Sequence, residues 1–361
     1  MNMFGLARLA LLSSLSIFSI SAAAQVVDET KPYDVSPYWL KAAAPDASPL
    51  VRVVLGQALQ LQTTTGMPVF SVPAATGRAI REAATHDAAT DPMVQALDLT
   101  AMSREEASGQ RVAAIDLLVK SIADNAYFGL ALLGQPEIQG DAALEQKILA
   151  QAANATRYRS SYELVQKALY QRFLALHWAQ TLPPGDRGNL DDQEAAVISA
   201  SGFAAAFAIP GNGAVLKLCK SADQARRVDC LRLGQHLFAG SDNVADAIIA
   251  LRLIELGAAT DADKEQAVRE RRRIEWQQSQ MAKLWQDGAR DATQISASLR
   301  RHLLLTTQET ELVALRHTLE IENLPLDPPT GWRSRAEEIR ALQAALDTAR
   351  ESAKDAAKKT D

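Results

Sequence analysis

Cys219 and Cys230 are the only two cysteines in a chain of 361 residues. An even pair with no spare reads most simply as one disulfide in an oxidising compartment, with two free thiols or a metal site as alternatives. A metal would need two further ligands. His86, His177, His236, His302 and His317 are dispersed, and none stands in a CxxC, HxxxH or HExxH arrangement. His177, beside Trp178, lies near the end of a predicted helix, where a cation favours the dipole, so its expected role is structural. No GxSxG occurs, no SxxK has a helix behind it, and Gly211-Asn212-Gly213 reads as a helix stop rather than a phosphate loop.

Paired carboxylates could serve glycan hydrolysis, which needs two acids facing across a cleft. Asp191, Asp192 and Glu194 cluster, as do Glu309, Glu311, Glu320 and Glu322. The first group falls where a helix N-terminus welcomes negative charge, and the second is mixed with arginines on a helix expected to be exposed. Arg269-Glu270-Arg271-Arg272-Arg273 is the densest basic run. Glu265, Glu270 and Glu275 lie within a turn of it, so a paired, solvated face is expected. Arg157, Tyr158, Arg159, Tyr162 and Tyr170 combine residue types enriched in binding hot spots, and form a candidate protein-contact patch. No catalytic, cofactor-binding or metal-ligating residue is assigned, and no cofactor is expected.

The compartment is read from the N-terminus. Met1 to Arg8 carries one positive charge, Leu9 to Ile20 is apolar, and Ser21-Ala22-Ala23-Ala24 offers small residues to a signal peptidase. This predicts a signal peptide over 1–24, cleaved after Ala24, and a periplasmic or secreted chain. The apolar run is shorter than the ~20 residues that span a bilayer, and no later stretch is long and apolar enough. Cleavage removes Arg8 and no acid, moving the formal charge from −5 to about −6. That balance argues against nucleic acid or anionic lipid as the main partner, because both call for a concentrated basic surface. The expected partner is another envelope or secreted protein.

Hydrophobic residues make up 47% of the chain but aromatics only 5%, a mixture rich in alanine and leucine that favours helix over sheet. A proline-containing arm over 25–49 precedes a first helix from Pro49. Helix starts are legible at Asp91-Pro92, and in the pairs Ser103/Glu106, Ser160/Glu163, Thr260/Asp263, Thr306/Glu309 and Ser334/Glu337. Leu182 to Asn189 (LPPGDRGN) is the clearest break, and divides the chain into helical halves over 50–182 and 190–350. The tail over 351–361 is expected to fray. Short polar turns between helices predict an all-α fold of antiparallel hairpins, arranged as a bundle or a short irregular solenoid.

The stretch from Cys230 to Ala258 resembles a Sel1-like repeat, a relative of the tetratricopeptide repeat, through Leu233-Gly234, Gly240, Asp246, Ala250 and Ala258. Phe128-Gly129, Asp141 and Ala152-Ala153 fall partly into the same register, with Gln135 and Glu145 where glycine and alanine are expected. The resemblance implies closely crossing helices and a protein-binding scaffold without catalysis of its own. A carboxylate enzyme acting on cell-wall glycan and an inhibitor or immunity protein are the alternatives. One tension accompanies the disulfide: in a single helix, cysteines 11 residues apart would lie roughly 16 Å from each other, so the helix must break between them. Ser221 with Gln224, or a later start near Asp229, would supply that break.

Overall fold

The computed structural model describes residues 36–60, 72–101, 108–181, 190–207, 211–220, 223–288 and 297–358. The signal segment, the Ser103/Glu106 pair and the 182–189 loop lie outside them. Sixteen α-helices and one 3-10 turn carry the described residues, with no strand among them, so the fold is all-α. The order is α1 (Ser36–Ala42), α2 (Pro49–Gln60), α3 (Ala74–Asp87), α4 (Pro92–Ala101), α5 (Ser108–Ser121), α6 (Ala126–Leu133), α7 (Ala142–Ala153) and α8 (Ser161–Ala175). After the 3-10 turn (Trp178–Thr181) come α9 (Asp192–Phe207), α10 (Asn212–Lys220), α11 (Gln224–Gly240) and α12 (Val244–Gly257). Then follow α13 (Asp261–Gly288), α14 (Ala297–Leu305), α15 (Glu311–Ile321) and α16 (Arg335–Lys358).

Most local start signals act where the sequence puts them. Asp91 accepts from the N–H groups of Met93 and Val94, and Pro92 occupies the first helical position, where no donor is lost. Thr260 Oγ1 accepts from the Asp263 N–H and donates to the Asp263 carboxylate, while Ser334 with Glu337 forms a reciprocal capping box. Asp191 and Glu194 do the same at α9, so the first acidic cluster is a helix start. Thr306 and Glu309 do not: Thr306 donates back to the Leu303 carbonyl, and α15 begins after Thr310. The short helix α1 forms inside the expected arm because Trp39 packs edge-on against Phe203, ring centroids 4.6 Å apart.

Neighbouring helices pack in pairs, chiefly α2 with α3, α6 with α7, α8 with α9, and α11 with α12. The α11–α12 crossing runs through Gly234 and Gly257. A Cβ on Gly234 would stand 2.8 Å from the Ile254 nitrogen, and one on Gly257 would stand 2.5 Å from the Leu231 nitrogen. Only glycine lets these backbones approach so closely.

One hydrophobic core runs from Ala42 to Leu253, so the regions on either side of the 182–189 loop share it. Helix α6 lies wholly inside, with all eight of its residues buried. A smaller core, from Val244, Leu251, Ile274, Met281, Leu315 and Leu319, binds α12 to α13 and α15. At about 1.5–3 kcal/mol for each large apolar side chain, these two cores supply the main drive to fold. Helix α16 continues to Lys358, through most of the segment expected to fray. No helix among the described residues is long and apolar enough to cross a membrane.

Candidate functional site

Three helix N-termini converge on a buried group of acids. Helix α8 starts at Ser160, α12 at Asn243 and α15 after Thr310. The turn between α11 and α12 brings Asp242 to the first of these. Ser160 Oγ donates to Asp242 Oδ1 at 2.8 Å, and the Glu163 N–H donates to Oδ2 at 3.3 Å. A carboxylate 82 residues away in sequence thus accepts the Glu163 N–H that the Ser160/Glu163 pair reserves for Ser160 Oγ. The Glu311 N–H donates to the Asp242 carbonyl at 2.8 Å, while Glu311 Oε2 accepts from the Val244 N–H at 2.9 Å. Asn243 caps α12 through the Asp246 N–H, and its Nδ2 donates to both Asp242 and Asp246. The Tyr158 hydroxyl donates to Asp246 Oδ2 at 2.7 Å.

Gly240 makes this junction possible, since a Cβ there would lie 2.4 Å from the Tyr158 carbonyl oxygen. On the other side, Asn125, the cap of α6, accepts from the Arg159 N–H and donates to the Arg159 carbonyl. The cluster therefore ties α6 and α8 to the α11–α12 pair and to α15.

Among the described residues, no cationic side chain hydrogen-bonds Asp242, Asp246 or Glu311. What they meet are the partial positive charges of helix N-termini. Asp246 is only 2% exposed, and burial pushes its carboxyl up to about 7, against the hydrogen bonds from Tyr158 and Asn243. Burial likewise raises Asp242 and Glu311. The hydroxyls of Tyr127, Tyr158 and Tyr162 are pushed upward by the same desolvation. The expectation of an exposed second acidic group is thus corrected at Glu311, which is half-buried against the start of α12. Asp242 and Asp246 are enclosed rather than set across a cleft. Among the described residues, no three His, Cys, Asp or Glu side chains are placed to hold a metal ion.

Of the Arg157–Tyr170 patch, Tyr158 and Tyr162 are buried in the core, and Tyr170 is half-buried against it. Arg157 and Arg159 remain open to solvent, so the five residues do not share one surface. His177 lies just past α8 with a positive φ of 52°, and its Nδ1 sits 2.8 Å from Asp192. His302 is buried beside Thr318, and desolvation pushes its imidazole down to about 4.

The cysteines meet at disulfide distance, with Cα atoms 5.9 Å apart. Helix α10 ends at Lys220 and α11 begins at Gln224 under an Asp223 cap, so the required break lies between the cysteines. The capping residue is Asp223, not Ser221 or a residue near Asp229. Cys230 is two turns inside α11, and the end of α10 lies against it. Both cysteines are buried. Replacing both by serine is expected to cost about 2–4 kcal/mol of stability, read as a lower urea midpoint at unchanged slope. An unchanged midpoint, for the variant or for reduced wild type, would contradict a stabilising bridge.

The basic run departs from its expected solvated face. The predicted neighbours do pair, as Arg269–Glu265, Arg271–Glu275 and Arg273–Glu270. Yet Arg271 is only 4% exposed, Arg272 bonds Glu337 of α16, and Arg273 bonds Asp327 of the loop before it. The run fastens the C-terminal segment to α13. Trp276 and Gln277 add bonds to the carbonyls of Pro325 and Leu326.

These features define an all-α protein with a buried acidic junction and a protruding final helix. No protein-family model, no curated protein and no solved structure matches the chain.

Proposed function

We propose that this chain is an exported, non-catalytic helical scaffold that binds an apolar helix of another envelope protein along α16. The observation that carries the reading is the outer face of α16, where Ile339, Leu342 and Leu346 are 51%, 66% and 56% exposed. They recur at spacings of three and four, and the sequence continues the series with Ala349, Ala353 and Ala356. That is the seam on which one helix receives another, knobs into holes. A strand would meet a period of two instead.

Export is read from the signal segment, and the cysteine pair is compatible with it. The Sel1-like resemblance supports a scaffold role, because Gly234 and Ala250 meet at the α11–α12 crossing as small residues of that family would.

The substitutions Leu342→Glu and Leu346→Glu, made together, test the reading. Both positions are exposed, so stability should change by less than about 0.5 kcal/mol per site. Capture of the helix-bearing partner from an envelope fraction should fall at least tenfold. Equal capture by the variant would overturn the reading, as would a wild-type protein that captures nothing.

A further inference from the structure

A cavity of about 440 Å³ opens between α12, α13 and the start of α16, lined by Arg252, Glu255, Val268, Arg271, Arg272, Arg333 and Glu337. Four guanidinium groups face two carboxylates there, an excess of about two positive charges in a chain whose formal charge is −5. Glu275, outside the lining, bonds Arg271 Nη1 at 3.0 Å and offsets part of that excess. Val268 is the one apolar wall, so whatever occupies the cavity is polar.

The partners are incompletely matched. Arg252 pairs with Glu255, and Arg272 pairs with Glu337 at 2.9 Å. Arg271 is buried, and its Nη2 reaches Glu337 at 3.3 Å, but its Nε has no hydrogen-bond partner and stands 3.8 Å from Glu255 Oε2. That donor is fully enclosed, and Glu255 Oε2 beside it likewise lacks a hydrogen-bond partner. Arg333 is exposed at the rim and, among the described residues, makes no hydrogen bond or ion pair. The N-terminus of α16, capped by Ser334 and Glu337, adds its partial positive charge at the same edge.

We propose that this cavity binds a phosphate group, gripped by Arg333 and Arg272 at the rim. Guanidinium forks suit the oxygens of a phosphate, which offers more acceptors for them than a carboxylate does. The phosphate could belong to a small soluble molecule or to a lipid headgroup.

Calorimetric titration of the full mature chain with inorganic phosphate, at constant ionic strength against chloride, tests this directly. Saturable binding is expected, weakened at least tenfold by Arg333→Ala, a substitution at an exposed position that leaves the ion pairs of the cavity in place. Arg272→Gln should weaken it too. Co-sedimentation with neutral vesicles, with and without phosphatidic acid, separates the two sources. Sedimentation that depends on both the lipid phosphate and Arg333 assigns a headgroup, and phosphate binding without it assigns a soluble ligand. Absence of saturable phosphate binding by the wild type overturns the proposal, as does equal affinity in Arg333→Ala.

Discussion

Asp246→Asn should be more stable than the wild type at pH 8, by up to about 4 kcal/mol, and should lose that advantage as the pH falls to 4. The figure follows from a carboxyl raised from 3.8 to about 7 by burial. Between those values the folded protein binds a proton at Asp246 that the unfolded chain releases. Wild-type stability from this group is therefore greatest below pH 4, declines as the pH rises through the window, and is fully lost above pH 7. Asparagine has no such proton to lose, and its oxygen can still accept from Tyr158. Asp242 and Glu311, both raised by burial, push wild-type stability in the same direction. His302 pushes the other way, since its imidazole is depressed to about 4 and the unfolded chain binds that proton first. The difference between variant and wild type removes the His302 contribution. Urea titrations of both proteins from pH 4 to 8 measure it. A difference that stays flat across that range would mean that Asp246 titrates as an ordinary carboxyl.

Asp242→Ala should cost about 3 kcal/mol at neutral pH. The substitution strips the Ser160 hydroxyl and the Glu163 N–H of their acceptor and leaves Asn243 Nδ2 one partner short, all in a buried site. Each orphaned donor costs about 1–3 kcal/mol, offset in part because a raised carboxyl no longer has to be held inside. Because Asp242 joins α8 to the α11–α12 turn, the loss should come with faster amide exchange at the start of α8. A midpoint within experimental error of wild type would mean that the acidic junction contributes nothing to stability.

The contrast between these residues explains what the sequence can and cannot reveal. Thr260/Asp263 and Ser334/Glu337 are readable because a capping pair needs only residues three apart. Ser160/Glu163 has the same pattern, yet its cap is completed by Asp242, and no local rule points across 82 residues. The sequence presents Tyr158 as a contact residue and Asp246 as part of a repeat-like pattern. Their hydrogen bond spans 88 positions and makes them one buried unit. The basic run was legible in its pairing and not in its burial, because the sequence does not say that α16 and the loop before it close over Arg271. Glu311 departs from its expected exposure for the same reason, since the Val244 N–H arrives from another helix to bond its carboxylate, while Glu320 stays exposed. The cysteine pair was the easiest long-range contact to foresee, because a chain with only two thiols leaves one pairing to consider.

The junction holds the body of the protein together, and α16 carries the proposed interaction. A photo-crosslinking residue placed in turn at positions 342, 346 and 344, in protein expressed in its own envelope, tests that claim most directly. Positions 342 and 346 lie on the apolar seam, and 344 lies on the opposite face of the same helix. A single covalent product at 342 and 346, absent at 344 and mapping to a helical segment of the partner, is the predicted result. Equal products from all three positions, or none from any, would contradict it.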